Sequence, residues 1–439
     1  MKTLLEKILK VCDHAEVYSR IMFSTSVSVQ AGEMQGIESE KKTEIAIRIV
    51  KDDKMGAAVA TNLDDESIIE RALISLENQK SEAVEFPNES VENVICSSDQ
   101  VKNMNTQELV RLTFDVSDRL KTFAPEITSG VEFVKTVKNV KMINSSGFEG
   151  EYDYTNIAAQ IYTLNEQGFY STIKEYSGSD LPEIKDEHLL NMIELHKLGN
   201  HMVTLENEKM PVVFSGNVMG SLMLRVLGGV NGGNVSKSIS PVGDKLGQKL
   251  FSEKITIRDD ATMPMGCNSL AFDDEGTPAQ NTVIYENGVL KNFLVSSGQS
   301  KKLGRKPIGN AQKRTLFSKE IEDSPSVFDT NIIIEGHSIP DQEIIGGIKR
   351  GLFITGVMGA HTGNINQGDF SMNISSGFLI ENGKMIGKVK GAMIAGNIYD
   401  LFQKVEAIGT EKEVMRSIFY TMGYSPMVLF SEANIVGRY

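Results

Sequence analysis

Two segments, Glu286-Asn287-Gly288 and Glu381-Asn382-Gly383, each set an Asn-Gly pair between short apolar runs. Asn-Gly tolerates positive φ at both central positions of a two-residue turn, so each pair marks a β-hairpin. Beyond residue 205 the chain is also richer in glycine, and this part is predicted to be mainly β. The first two hundred residues read differently. Leu4, Leu5, Ile8, Leu9 and Cys12 share a helical face, and from Val17 the pattern changes to alternation through Ile21, Phe23, Thr25, Val27 and Val29. A second alternating run, Ile45 to Ile49, ends at the polar Lys51 to Gly56 turn, and Ala57 to Ala60 return as a strand. Helices are predicted over Asp65 to Leu76 and Thr106 to Lys121, the latter opened by Asn105 with Glu108 three residues on, a capping-box spacing. Strands at Val131 to Val137, Val140 to Asn144 and Tyr152 to Tyr162 complete an antiparallel set. A polar helix from Asp186 to His201 precedes the apolar Pro211-Val212-Val213-Phe214 strand. The predicted class is α+β in two domains: residues 1–204 as mixed helices and antiparallel sheet, and residues 205–439 as a β-rich unit.

A chain of 439 residues exceeds what one core supports, which agrees with two domains. No stretch of about eighteen apolar residues exists to span a bilayer, and the N-terminal run is broken by Glu6, Lys7 and Lys10, unlike a signal peptide. The three cysteines, Cys12, Cys96 and Cys267, are odd in number and widely spaced, so a disulfide framework is not expected and a cytoplasmic location is. A net charge of −13 disfavours direct binding of nucleic acid.

No G-x-S-x-G elbow, phosphate-binding G-x-x-x-x-G-K-[ST] loop or G-x-G-x-x-G fingerprint is present, and none of the six histidines forms HExxH or HExxxH. His196 and His201 are five apart and diverge on a helix. Three constellations remain. Phe272-Asp273-Asp274-Glu275-Gly276-Thr277-Pro278 could orient a cation or a substrate amine, or be a solvated acidic turn. Gly304-Arg305-Lys306-Pro307-Ile308-Gly309-Asn310, with Lys313 and Arg314, could bind a peptide carboxylate, or be a surface loop. Gly359-Ala360-His361-Thr362-Gly363-Asn364, followed by Gly368-Asp369-Phe370, permits close approach of a ligand to the backbone, or is a plain turn. The substrate-binding candidates are therefore Asp273, Asp274, Glu275, Arg305, Asn310, Arg314, His361 and Asn364.

In that order, and together with the two hairpins and Gly396-Asn397, these segments resemble the TldD/PmbA family over essentially the whole second domain. The resemblance implies a two-domain fold and an association with cytosolic proteolysis and peptide maturation. Members also carry an older label as modulators of DNA gyrase. In the TldD branch a helix after the Pro-Val-Val strand carries HExxxH, and a Cys near the C-terminus completes a zinc site with an open position for water. Aligned on Pro211-Val212-Val213, this chain has Leu224, Arg225 and Gly229 in place of the His, Glu and second His, and no Cys between Gly409 and Met422. That is the character of the PmbA/TldE branch. It implies a non-catalytic subunit without zinc, a TldD-like partner that carries it, and a peptide or unfolded protein as substrate. A homodimer is the alternative pairing, and the Met427-Val428-Leu429-Phe430 strand, at an edge or inside, is a candidate contact. Two other functions stay open: a stand-alone metal-dependent peptidase built on Asp273, Asp274, Glu275 and His361, and a protein-binding modulator of gyrase.

Overall fold

The computed structural model describes residues 1–76, 86–314, 321, 324–417 and 419–437, and the chain is α+β. The first sheet contains β1 (His14–Gln30), β2 (Glu33–Lys51), β3 (Lys54–Ala60), β4 (Ser129–Asn144), β5 (Glu149–Leu164) and β6 (Tyr170–Gly178). They lie in the order β3-β2-β1-β4-β5-β6, antiparallel throughout. Asp52 and Asp53 turn β2 into β3 at φ of 50° and 58°, a conformation short polar side chains tolerate. The helix Thr106–Phe123 has its capping box: Glu108 N donates to Asn105 Oδ1 at 3.0 Å and Asn105 N to Glu108 Oε2 at 2.7 Å. Leu109, Val116 and Leu120 of this helix pack on Val131, Phe133, Ile157 and Ile161 of the sheet. Two predicted strands over Val131 to Asn144 are one continuous strand here, and β6 was not anticipated. Most of its residues are only half-buried, so its apolar alternation is weak.

In the second part both Asn-Gly turns close their hairpins. Asn287 and Gly288 sit at φ 46° and 76°, Asn382 and Gly383 at 49° and 76°, and the flanking pairs are Glu286 with Val289 and Glu381 with Lys384. One sheet runs Val289–Leu290, Asn281–Glu286, Ile255–Asp260, Ile332–Gly336, Thr421–Ser425, Glu413–Arg416. A second closes on itself. Strand Arg350–Met358 pairs with Glu208–Phe214, that with Val428–Gly437, that with Ala392–Asn397, that with Asp369–Glu381, and the last returns to Arg350–Met358. Closure leaves these strands no free edge along the ring. Val212, Phe214, Leu352, Ile354 and Leu379 face the main core, while Val213, Phe353, Phe378 and Ile380 face a smaller one with Ile344 and Ile348. Both faces are buried, hence the apolar runs at Pro211-Val212-Val213-Phe214 and Phe378-Leu379-Ile380. Val428–Gly437 is interior: near Val428 and Phe430 it pairs with Glu208–Phe214 on one side and Val405–Ile408 on the other, which makes it a poor contact for a partner.

The helix Met219–Val230 follows the Glu208–Phe214 strand and is buried almost throughout. Gly220 is required there, because a Cβ would lie 2.1 Å from the Arg416 carbonyl oxygen. The two parts of the chain meet along two lines. Tyr154 and Tyr424 donate to the carbonyls of Cys267 and Ser177, and the ion pairs Lys174–Glu413 and Arg416–Glu175 lie beside them. The other line joins β1 and β2 to the acidic turn at Asp273.

Candidate functional site

Arg225 has no exposed surface, and its guanidinium is surrounded by backbone oxygens. Nε donates to Asp369 O at 2.6 Å, Nη1 to Ser221 O at 3.0 Å and to Ala360 O at 2.9 Å, and Nη2 to Thr362 O at 2.7 Å. Burial lowers its pKa to about 10, and attraction to Asp369 opposes the shift. One side chain thus fixes both ends of the 359–369 loop to the helix. That loop carries His361 and Asn364, both exposed. Its glycines at 359, 363 and 368 have φ of 80°, 89° and 86°, which lets the chain curl around the guanidinium. At Gly229 a Cβ would lie 2.2 Å from Tyr399 Oη. The tyrosine therefore occupies the volume of any side chain at 229, and its own buried hydroxyl has no hydrogen-bond partner among the described residues.

At the domain junction the acidic turn is buried and internally engaged. Asp273 is 1% exposed; its carboxylate accepts the backbone N–H groups of Glu275, Thr277 and Ala311, each at 2.9 Å. Burial, then repulsion from Glu275, push its carboxyl well above the usual range. Glu275 accepts from Ser297 N and Oγ at 2.8 and 2.6 Å and lies 3.7 Å from Arg48. Arg48 Nε donates to Glu16 Oε1 at 3.1 Å, and Lys313 Nζ stands 3.4 Å from the same oxygen. Burial alone would raise Glu16, but Arg48 and Lys313 hold it below the usual range. Asp274 accepts Lys313 N at 2.7 Å and bears electrostatically on Tyr18, Arg20, Lys138 and Arg314. Arg20 is paired with Glu44 at 2.6 Å.

Residues 207–437, more than half of the chain, match the PmbA/TldA metallopeptidase C-terminal domain, and residues 15–78 match the PmbA/TldA metallopeptidase domain 1. The chain belongs to the PmbA/TldD family. It is 27% identical to an uncharacterised protein of Methanocaldococcus jannaschii over 415 residues, covering 91% of this chain and 93% of that one. To the protein named Metalloprotease PmbA of Escherichia coli O157:H7 it is 23% identical over 472 aligned positions, with 100% and 95% covered. The crystal structure of TldE from Thermococcus kodakarensis has the same fold, with a TM-score of 0.90 at 22% identity and 100% of both chains covered.

In this PmbA/TldD chain the zinc fit can be tested on the helix itself. Leu224 and Gly229 supply no ligand atom, Arg225 supplies a cation held by four carbonyls, and Tyr399 fills the space beside Gly229. The residues present do not fit the metal. Among the described residues no group of three or more His, Cys, Asp or Glu side chains is arranged to hold one elsewhere. Of the candidates from sequence, the structure gathers Asp273, Asp274, Glu275 and Arg314 at the junction. His361 and Asn364 stand apart, on the loop pinned by Arg225. Asp273 and Glu275 are spent on internal partners, which is neither the open cluster nor the solvated turn expected of them. Arg305 lies 5.8 Å from the Phe293 ring centroid, on the loop after the helix Ser297–Leu303. Asn310 is 2% exposed, and among the described residues neither side-chain amide atom has a partner. Sequence reasoning missed Arg20, Lys138 and Tyr399. Lys138 is one polar residue in an alternating strand, and only the fold sets it against Asp274.

Proposed function

We propose that this chain is the non-catalytic, substrate-handling subunit of a PmbA/TldD metallopeptidase system, paired with a homologous subunit that carries zinc. The observation that carries this is the filled helix site: Arg225 replaces a general base with a guanidinium bonded to four carbonyls, and Tyr399 excludes a ligand at 229. Peptide hydrolysis at zinc needs an open coordination position and a carboxylate base. A buried arginine supplies neither, and its positive charge repels a divalent cation. Relatives named as metalloproteases support a place in proteolysis. The test is co-expression with a homologue bearing HExxxH, followed by size-exclusion chromatography and a peptidase assay on an unfolded peptide. A stable pair that cleaves, together with an inert isolated chain, is expected. Cleavage by the isolated chain, or no complex and no change in the partner's activity, would overturn the proposal.

A further inference from the structure

The junction holds two cations that, among the described residues, have no carboxylate at ion-pair distance. Arg314 lies with its guanidinium carbon 4.3 Å from the Phe328 ring centroid and 5.0 Å from that of Tyr420. Its Nε is buried and has no hydrogen-bond partner, and among the described residues no carboxylate comes within ion-pair distance. Two aromatic rings thus hold a planar fork in place, and among the described residues its buried Nε has no acceptor. Lys138 is half-buried on β4, with Nζ 4.2 Å from the Tyr154 ring centroid, and it too has no carboxylate at ion-pair distance among the described residues. Burial pushes the Lys138 ammonium down to about 8, with repulsion from Arg20 and Arg314 adding to it and Asp274 opposing. Lys138 and Arg314 therefore share one electrostatic neighbourhood, in which Asp274 is the common carboxylate. Asp274 is itself engaged by Lys313 N, and Arg20 by Glu44. The other nearby carboxyl, Asp329, attracts Arg314 but does not come within ion-pair distance of it, and its Oδ1 accepts the Tyr420 hydroxyl.

Buried donors without acceptors are costly unless something completes them. We propose that Lys138 and Arg314 form a carboxylate-binding site at the domain junction, which takes the terminal carboxylate of a peptide. A carboxylate matches the planar Arg314 fork in two parallel hydrogen bonds, while Lys138 supplies a point charge. Because the fork is already held by Phe328 and Tyr420, little side-chain freedom is lost on binding. The choice of a peptide rests on the proposed function above; the site itself does not.

The experiment uses the isolated full-length chain, so its outcome is independent of whether a partner complex forms. A short peptide with a free C-terminus, the same peptide amidated, and inorganic phosphate are titrated by calorimetry at constant ionic strength near pH 7. The free-acid peptide is expected to bind and the amidated one to lose at least tenfold. Lys138→Met and Arg314→Gln should each weaken the free-acid peptide by about tenfold or more, with circular dichroism as the check on folding. If either variant fails to fold, Lys138→Arg and Arg314→Lys serve instead: the first should retain binding, and the second should weaken it by losing the planar fork. Equal binding of the acid and the amide, binding of phosphate alone, or affinity unchanged in the folded variants would overturn the proposal.

Discussion

Among the described residues neither Arg225 nor Arg314 has a carboxylate at ion-pair distance, yet their surroundings are opposite. Around Arg225 four backbone carbonyls take up the guanidinium's donors, and Tyr399 fills the space at Gly229 on the same helix. Around Arg314 two rings clamp the plane, and among the described residues its Nε has no acceptor and the neighbouring Lys138 has no ion-pair partner. The first arrangement is what a structural replacement looks like: desolvation is offset by hydrogen bonds, and the side chain ties a loop to a helix. The second keeps an uncompensated demand for an acceptor. The arginine with its donors satisfied is thus the one on the helix Met219–Val230, and the one with an unpaired donor lies where the two parts of the chain meet.

The largest expected effect tests the sealed side. Arg225→Met leaves the buried carbonyl of Ala360 and the partly buried carbonyls of Thr362 and Asp369 without this donor, and chemical denaturation should show a loss of about 3–5 kcal/mol. A loss below about 1 kcal/mol would mean that the loop does not depend on the clamp. Gly229→His should destabilise by about 2–3 kcal/mol, since its Cβ would lie 2.2 Å from Tyr399 Oη. Adding Tyr399→Ala should recover part of that loss, and simple additivity of the two changes would break the argument that they compete for one volume. The smallest effect belongs to the open side. Asp329 has its carboxyl raised to about 7, so the stability it contributes is full below the unfolded value of about 3.9 and is lost as pH rises through 7. Asp329→Asn should therefore gain stability relative to the parent between pH 5 and 8, by about 1–2 kcal/mol. A difference independent of pH would show that Asp329 titrates normally.

Much of the fold was legible because its signals are local. The Asn-Gly turns at 287 and 382 and the Asn105–Glu108 capping box act within a few residues, and each is found as read. Closure of the second sheet was not legible, since it depends on Arg350–Met358 meeting both Glu208–Phe214 and Asp369–Glu381. The site divides in the same way. That Leu224, Arg225 and Gly229 cannot hold zinc follows from residue type alone. That Arg225 instead binds the 359–369 loop, and that Tyr399 fills the space at Gly229, are contacts between distant segments which carry no local pattern. Asp273 and Glu275 suggested an exposed acidic turn because nothing near them in sequence announces Arg48 or the Ala311 and Ser297 amides that bury them.

The most direct test of the central claim is the zinc content of the purified pair, this chain with an HExxxH-bearing homologue, set beside that of this chain alone. One zinc per pair and none at stoichiometric level in the isolated chain is the expected result. Two zinc ions per pair, or one bound by this chain alone and lost in an Arg225→Met variant that still folds, would contradict the account of a helix site closed by its arginine.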